Sequence, residues 1–351
     1  EKWSTEGVER LYDYLKRRWD VNYVSLRPSG GWSVIANDFF FPEPSNQLAN
    51  KLERGLRSSG SSTTHFLQER MKYHNVPGVS IAVIKNGRLE IARGYGTERA
   101  GSQDPVMAFR TRFPIASMSK VVGAVGWTVL ANSRSNLRLD DRLEQVVANF
   151  NLSNNSDFRR WYDAALRNDR RIRNITIRQL LSHTSGLNMH GLGQDPLNRV
   201  RDLDDLLMNG INPRVVLSNA PGSVWDYSGG GFTVAEALLE AITGQSAETY
   251  LKQNVFTPLG MFRSLCTPPT GAYYAVGHNA SGNARSRGDC PGEFAGGVIT
   301  TPWEYARFVL ALMNDGKYGN RQVFPKASMD RVLTVNVRSV RSYSCSDSRC
   351  T

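Results

Sequence analysis

Three observations predict an α+β fold with an antiparallel sheet flanked by helices. Strand-like runs cluster early in the main body, at 79–84 and 88–95. Nearly everything after them has helical character, broken by Gly- and Pro-rich loops at 184–193, 219–231 and 267–297. A βαβ chain would instead alternate strands and helices throughout. The third observation is size, because 351 residues fit two domains, or one large domain with an appendage, at roughly 150 residues per domain.

Residues 1–60 read as a small N-terminal α/β appendage. Leu11, Tyr14, Leu15 and Trp19 recur at helical spacing. Val21–Leu26 and Trp32–Ala36 then read as two strands around the Pro28-Ser29-Gly30-Gly31 turn. A second amphipathic stretch, Leu48, Leu52 and Leu56, leads into the linker-like Ser58-Ser59-Gly60-Ser61-Ser62.

The main domain is expected over 61–351, with a mostly helical subdomain at about 130–290. Thr63 or Thr64 can cap a helix running to His74, and Val76-Pro77-Gly78 stops it. Val79–Ile84 and Arg88–Tyr95 form a hairpin closed by Asn86-Gly87, a pair that tolerates the positive φ angles of a type I′ turn.

Composition narrows the function. Basic side chains outnumber acidic ones 43 to 32, for a net charge of +11. The excess is scattered, and the densest run, Arg159 to Arg178, also holds Asp163 and Asp169. It reads as a solvated helical face rather than a nucleic-acid surface; binding of an anionic polymer is the weaker reading. The longest apolar stretch, Val121 to Ala131, falls far short of the roughly 20 residues that cross a bilayer, so no membrane span is expected.

The four cysteines, Cys266, Cys290, Cys345 and Cys350, fit no zinc template. Bridges Cys266–Cys290 and Cys345–Cys350 are the economical expectation, and they imply an oxidising, secreted or periplasmic location. The alternative is four reduced thiols. The chain starts at Glu1 without Met, as a processed secretory protein would. No metal or cofactor is expected, since H-E-x-x-H and P-loop motifs are both missing from the sequence.

Three segments could carry chemistry. Ser117-Met118-Ser119-Lys120 precedes the apolar helix. Positions i and i+3 share a helix face, so Lys120 can reach the Ser117 hydroxyl. The helix N-terminus adds backbone N–H groups and partial positive charge where an oxyanion would form. Burial at the top of an apolar helix favours the neutral amine that a base requires. Alone, an S-x-x-K tetrapeptide is common by chance.

Pro221 to Phe232 sets Tyr227 among Gly229, Gly230 and Gly231, in a loop where backbone can approach a substrate closely. Beside a lysine, a phenol can relay a proton. Leu180-Leu181-Ser182-His183-Thr184-Ser185-Gly186-Leu187 holds a histidine among turn formers. Without a G-x-S-x-G elbow, His183 reads as a hydrogen-bonded loop staple rather than a triad base.

Taken in order, these segments resemble the serine β-lactamase-like family: class C β-lactamases, DD-peptidases and the related family VIII esterases. The matching pieces are Val76 to Val83 with the Asn86-Gly87 hairpin, Phe113 to Lys120, Ile177 to Leu187, Tyr227-Ser228-Gly229, Pro258 to Met261 and Ala295 to Pro302. The resemblance covers roughly 63–335 and implies a β-lactamase/transpeptidase-like fold. It also implies an acylated Ser117, with Lys120 and Tyr227 sharing its proton and the Ser117 N–H forming part of an oxyanion hole. A small-molecule ester, lactam or peptide is the implied substrate.

Two departures matter. Gly229 stands where the family usually has Asn, whose amide binds the acylamino group of lactams and peptides, so a substrate-binding Gly229 shifts the expectation toward esters. After Pro302 the family continues into a His-x-Gly or Lys-Thr-Gly strand, and no such motif follows here. The readings of this are a truncated chain, another chain completing the sheet, a permuted arrangement in which Tyr23 to Asn37 fills the vacancy, or a pseudoenzyme. The leading expectation is a serine hydrolase, a carboxylesterase or β-lactamase-like amidase. The alternative is an inactive member serving as a binding or scaffold protein.

Overall fold

The computed structural model describes residues 21–26, 32–36, 46–57, 62–188, 203–208, 214–269, 273–284, 292–334 and 341–342. The expected helix around Leu11–Trp19 and most of the Ser58–Ser62 linker lie outside these residues, as do Cys290, Cys345 and Cys350. The chain divides into two compact units, residues 1–70 with 82–91, and residues 71–81 with 92–351.

In the first unit, β1 (Val21–Leu26) and β2 (Trp32–Ala36) pair antiparallel, with Val24 opposite Val34 and Leu26 opposite Trp32. Among the described residues this is a two-stranded sheet. Helix α1 (Asn46–Arg54) carries Lys51 and Arg54 in its last turn, where cations complement the helix dipole. Leu56 does not extend it. Leu56 and His65 exchange two backbone hydrogen bonds of 3.3 and 2.8 Å, an isolated antiparallel bridge. Helix α2 (Leu67–Tyr73) therefore starts later than the Thr63-Thr64 signal predicts.

Strands β3 (Gly78–Lys85) and β4 (Arg88–Gly96) form the expected hairpin. Asn86 and Gly87 have φ of 52° and 72°, the left-handed pair that matches the twist of the flanking strands. A Cβ at Gly87 would touch nothing, so conformation rather than space calls for glycine.

The second unit holds the rest. β5 (Phe113–Pro114) leads into α3 (Ser119–Ser133), α4 (Leu143–Phe150), α5 (Asp157–Asn168), α6 (Ile177–Leu181) and α7 (Leu203–Met208). β6 (Val224–Trp225) precedes α8 (Gly229–Thr243) and α9 (Ala247–Leu251), and β7 (Ile299–Thr300) precedes α10 (Pro302–Met313). The β8–β9 hairpin (Lys317–Tyr318, Arg321–Gln322), α11 (Lys326–Leu333) and β10 (Arg341–Ser342) follow. Helix starts follow the capping rule: Ser156, Thr176, Ser228, Ser246 and Thr301 each accept a backbone N–H of the first turn.

Two helices form the middle of the core. On α3, Val122, Val125 and Trp127 are fully buried, and α8 is buried from Gly229 through Leu239. The Trp127 indole donates to the Ala235 carbonyl at 3.0 Å, which satisfies a polar atom inside the core. At Gly123 a Cβ would lie 2.7 Å from Cγ of buried Phe294. Only glycine lets residues 293–297 lie against the first turns of α3. β5 pairs antiparallel with β7, Pro114 opposite Ile299, and Ile299 bridges Leu265 on its other side. That small sheet fixes the chain three residues before Ser117.

Candidate active site

Ser117 is exposed on a single 3-10 turn, Ala116–Met118, between β5 and α3. Ala116 has φ of 45°, a left-handed conformation that costs a non-glycine residue on the order of 1 kcal/mol or more. Surrounding bonds hold it there. The Ile115 N–H donates to Val298 O at 3.0 Å and the Met118 N–H to Ile115 O at 3.1 Å. Fully buried Ser119 donates its hydroxyl to Ala116 O at 2.6 Å and accepts the Val298 N–H at 3.0 Å. Ser119 sits inside the S-x-x-K tetrapeptide, and its part in the turn was not legible from spacing alone.

Lys120 is buried one position into α3. Its Nζ lies 3.3 Å from Ser117 Oγ and donates to the Ala295 carbonyl at 2.5 Å. Tyr227 arrives from a segment 110 residues away, and its Oη lies 2.7 Å from the same Ser117 Oγ. Lys120 Nζ also stands 4.9 Å from the Tyr227 ring centroid and 5.6 Å from that of Phe232. These two rings wall in the lysine side chain beside the seryl oxygen. The three residues expected to act together therefore share one hydroxyl.

His183 lies behind Tyr227. The two rings stack at 4.5 Å with 27° between their planes, and the Ser228 N–H donates to His183 Nδ1 at 3.0 Å. Burial, then the nearby Lys120 charge, pushes the imidazole down to about 4, so it is neutral at ordinary pH. No hydrogen bond joins it to Ser117 among the described contacts, in keeping with the staple reading.

The glycine run is not the open loop that its composition suggests. Gly229, Gly230 and Gly231 are buried in the first turn of α8, where Ser228 Oγ accepts the Gly231 N–H at 2.8 Å. A Cβ at Gly230 would come within 2.8 Å of Asn188 O, and one at Gly231 within 3.1 Å of Leu180 O. Close packing against the 180–188 loop explains these glycines. Gly229 offers no side chain at the position where the resembled family usually has Asn.

The expected Cys266–Cys290 bridge is not formed: Cys266 is a free, buried thiol. Its sulfur and the carboxylates of Glu248 and Glu293 fall within 4.8 Å of one another. Glu248 Oε2 is already engaged by the Cys266 N–H, the Thr267 N–H and the Thr267 hydroxyl, at 2.8–3.2 Å. Burial pushes the Cys266 thiol and the Glu293 carboxyl up. His278 is likewise occupied, its Nε2 accepting the Ala100 N–H at 3.1 Å.

A seryl hydroxyl shared by a buried lysine one turn along and a tyrosine from a distant loop defines a site of the serine-hydrolase type. The β-lactamase family model matches residues 63–334, so the chain belongs to that family. Penicillin-binding protein 4 of Amycolatopsis lactamdurans is 31% identical over 209 residues, 58% of this chain and 48% of that protein. Protein flp of Staphylococcus aureus is 25% identical over 199 residues, 56% of this chain and 36% of that protein. The chain thus spans about half the length of the first of these relatives, and less of the second.

Solved structures agree on the fold. The D-alanine carboxypeptidase AmpC from Burkholderia cenocepacia matches with a TM-score of 0.56 at 23% identity, over 75% of this chain and 66% of that one. The octameric penicillin-binding protein homologue from Pyrococcus abyssi gives 0.55 at 20% identity, over 75% and 57%. The α+β fold is β-lactamase/transpeptidase-like. Among the described residues no helix is long and apolar enough to cross a membrane.

Proposed function

We propose that this chain is a hydrolase that works through an acyl-enzyme on Ser117, with an ester as its preferred substrate. The observation that carries the reading is the convergence of Lys120 Nζ and Tyr227 Oη on one seryl oxygen, at 3.3 and 2.7 Å. As Ser117 Oγ forms its bond to the carbonyl carbon, its proton passes to the Lys120–Tyr227 pair. The Ser117 backbone N–H and the positive end of α3 stabilise the oxyanion. When the carbonyl carbon–oxygen bond of the ester breaks, the same pair returns the proton to the leaving alkoxide. A water molecule, losing its proton along the same path, then releases the acid and restores Ser117.

Two features favour esters. Gly229 provides no amide for an acylamino group, so a lactam or D-peptide loses an orienting contact that an ester does not need. Met118 and Val121 are large apolar side chains left exposed beside Ser117 and Lys120 in the chain, a surface suited to an apolar acyl group. The test is turnover of p-nitrophenyl butyrate beside nitrocefin and a D-alanyl-D-alanine peptide, in the wild type and in Ser117→Ala. Ester hydrolysis lost in the variant supports the reading. A folded wild type with no turnover of any of the three identifies an inactive binding or scaffold protein instead. Faster turnover of nitrocefin or the peptide than of the ester keeps the nucleophile and overturns the ester preference.

A further inference from the structure

We propose that His183 is a positioning residue for the reaction: it clamps Tyr227 from both sides of the chain and from behind its ring, holding the phenol oxygen on Ser117. This rests on the reading of Tyr227 as the partner of Ser117 in proton transfer.

Three contacts carry it. The Asp226 N–H, one residue before Tyr227, donates to the His183 carbonyl at 2.9 Å. The Ser228 N–H, one residue after, donates to the His183 ring at Nδ1, 3.0 Å away. Between these two bonds the imidazole stacks on the phenol at 4.5 Å. One residue thus grips the backbone on either side of Tyr227 and backs its ring. His183 itself has φ of 59°, a left-handed conformation uncommon outside glycine, and it is kept at a place where its carbonyl and its ring both meet the 226–228 segment.

The imidazole must be unprotonated at Nδ1 to accept the Ser228 N–H. Burial and the Lys120 charge keep it so at neutral pH. Trp225 at 5.9 Å and Phe232 at 5.2 Å close off the rest of the ring. A side chain wanted only to fill this space could be any aromatic; the hydrogen bond to one neighbour of Tyr227 and the stack on Tyr227 itself require an aromatic acceptor. Proton transfer depends on this placement, because a misplacement of about 1 Å can cost on the order of a hundredfold in rate.

The experiment is a double-mutant cycle between His183→Phe and Tyr227→Phe, read as kcat and KM on p-nitrophenyl butyrate. His183→Phe keeps an aromatic ring for stacking and loses the acceptor. In the wild-type background it is expected to lower kcat by roughly ten- to a hundredfold with KM changed less than about twofold. In the Tyr227→Phe background, with no phenol left to position, the same change is expected to cost less than about twofold. Equal losses in the two backgrounds overturn the proposal, because damage to the fold at large does not depend on the phenol. Unchanged kcat in His183→Phe overturns it as well. Full activity in Tyr227→Phe alone marks a different failure, that of the proton-transfer reading itself. If His183→Phe fails to fold, His183→Asn, which retains an acceptor for the Ser228 N–H without the stack, enters the same cycle under the same criteria.

Discussion

Replacing Tyr227 with phenylalanine removes one atom and little else. The ring that stacks on His183 at 4.5 Å and faces Lys120 at 4.9 Å is retained, so the surrounding packing has no reason to move. What disappears is the oxygen 2.7 Å from Ser117 Oγ. A positioned acid–base group contributes about 10²–10⁴-fold to rate. At 1.36 kcal/mol per factor of ten, that is roughly 3–5 kcal/mol of transition-state stabilisation. Loss of the single hydrogen bond costs stability only about 1 kcal/mol. Steady-state kinetics on p-nitrophenyl butyrate should therefore show kcat falling by about two to four orders of magnitude with KM little changed, while the thermal melt shifts slightly. A kcat within about threefold of wild type, in a variant shown to be folded, would refute proton transfer through the phenol.

Three further expectations follow from the same contacts. Ser119→Ala leaves the buried Val298 N–H without its acceptor and frees the left-handed Ala116. Urea unfolding should record a loss of about 1–3 kcal/mol, and an unchanged midpoint would show that the turn holds without it. Gly123→Ala sets a helix-propensity gain of about 1 kcal/mol against overpacking of about 1–3 kcal/mol where the new methyl meets Phe294. A net fall in Tm is expected, and a rise would contradict the close approach. At Glu293, burial first and then the Glu240 and Glu248 charges raise the carboxyl above its ordinary 4.5. The native state then keeps a proton that the unfolded chain releases, so stability from this group is present below about 4.5 and is lost as pH rises through the raised value. Glu293→Gln should flatten the fall in urea midpoint between pH 5 and pH 8, and an identical slope in the variant would remove the buried acid from the explanation.

Local chemistry explains which parts of this protein could be read from its sequence. The β1 and β2 runs end where their apolar and β-branched residues end, and Asn86-Gly87 closes a hairpin because few other pairs accept its backbone angles. Ser117 and Lys120 were visible because i and i+3 must meet at the start of a helix. Tyr227 stood out by its glycine neighbours, but its meeting with Ser117 could be inferred only by resemblance, since nothing local brings residues 110 positions apart to one oxygen. The Ala295 carbonyl that anchors Lys120, 175 residues on, had no side-chain signature at all. Gly229 to Gly231 misled for a related reason. Three glycines suggest a pliable loop, but here they are the capped first turn of a buried helix, small because Asn188 and Leu180 carbonyls leave no room at Gly230 and Gly231. Cys266 was assigned a bridge from cysteine count, whereas the structure has it as a free, buried thiol.

Labelling at the nucleophile tests the account most directly. Wild-type protein incubated with a fluorophosphonate ester, digested and examined by mass spectrometry should carry the phosphonyl adduct on the peptide containing Ser117, and Ser117→Ala should carry none. The Lys120→Met variant should label far more slowly, since its serine keeps the turn but loses the amine at 3.3 Å. Folded wild-type protein that stays unmodified, or an adduct on a different residue, would contradict the claim that this hydroxyl is the one prepared to attack.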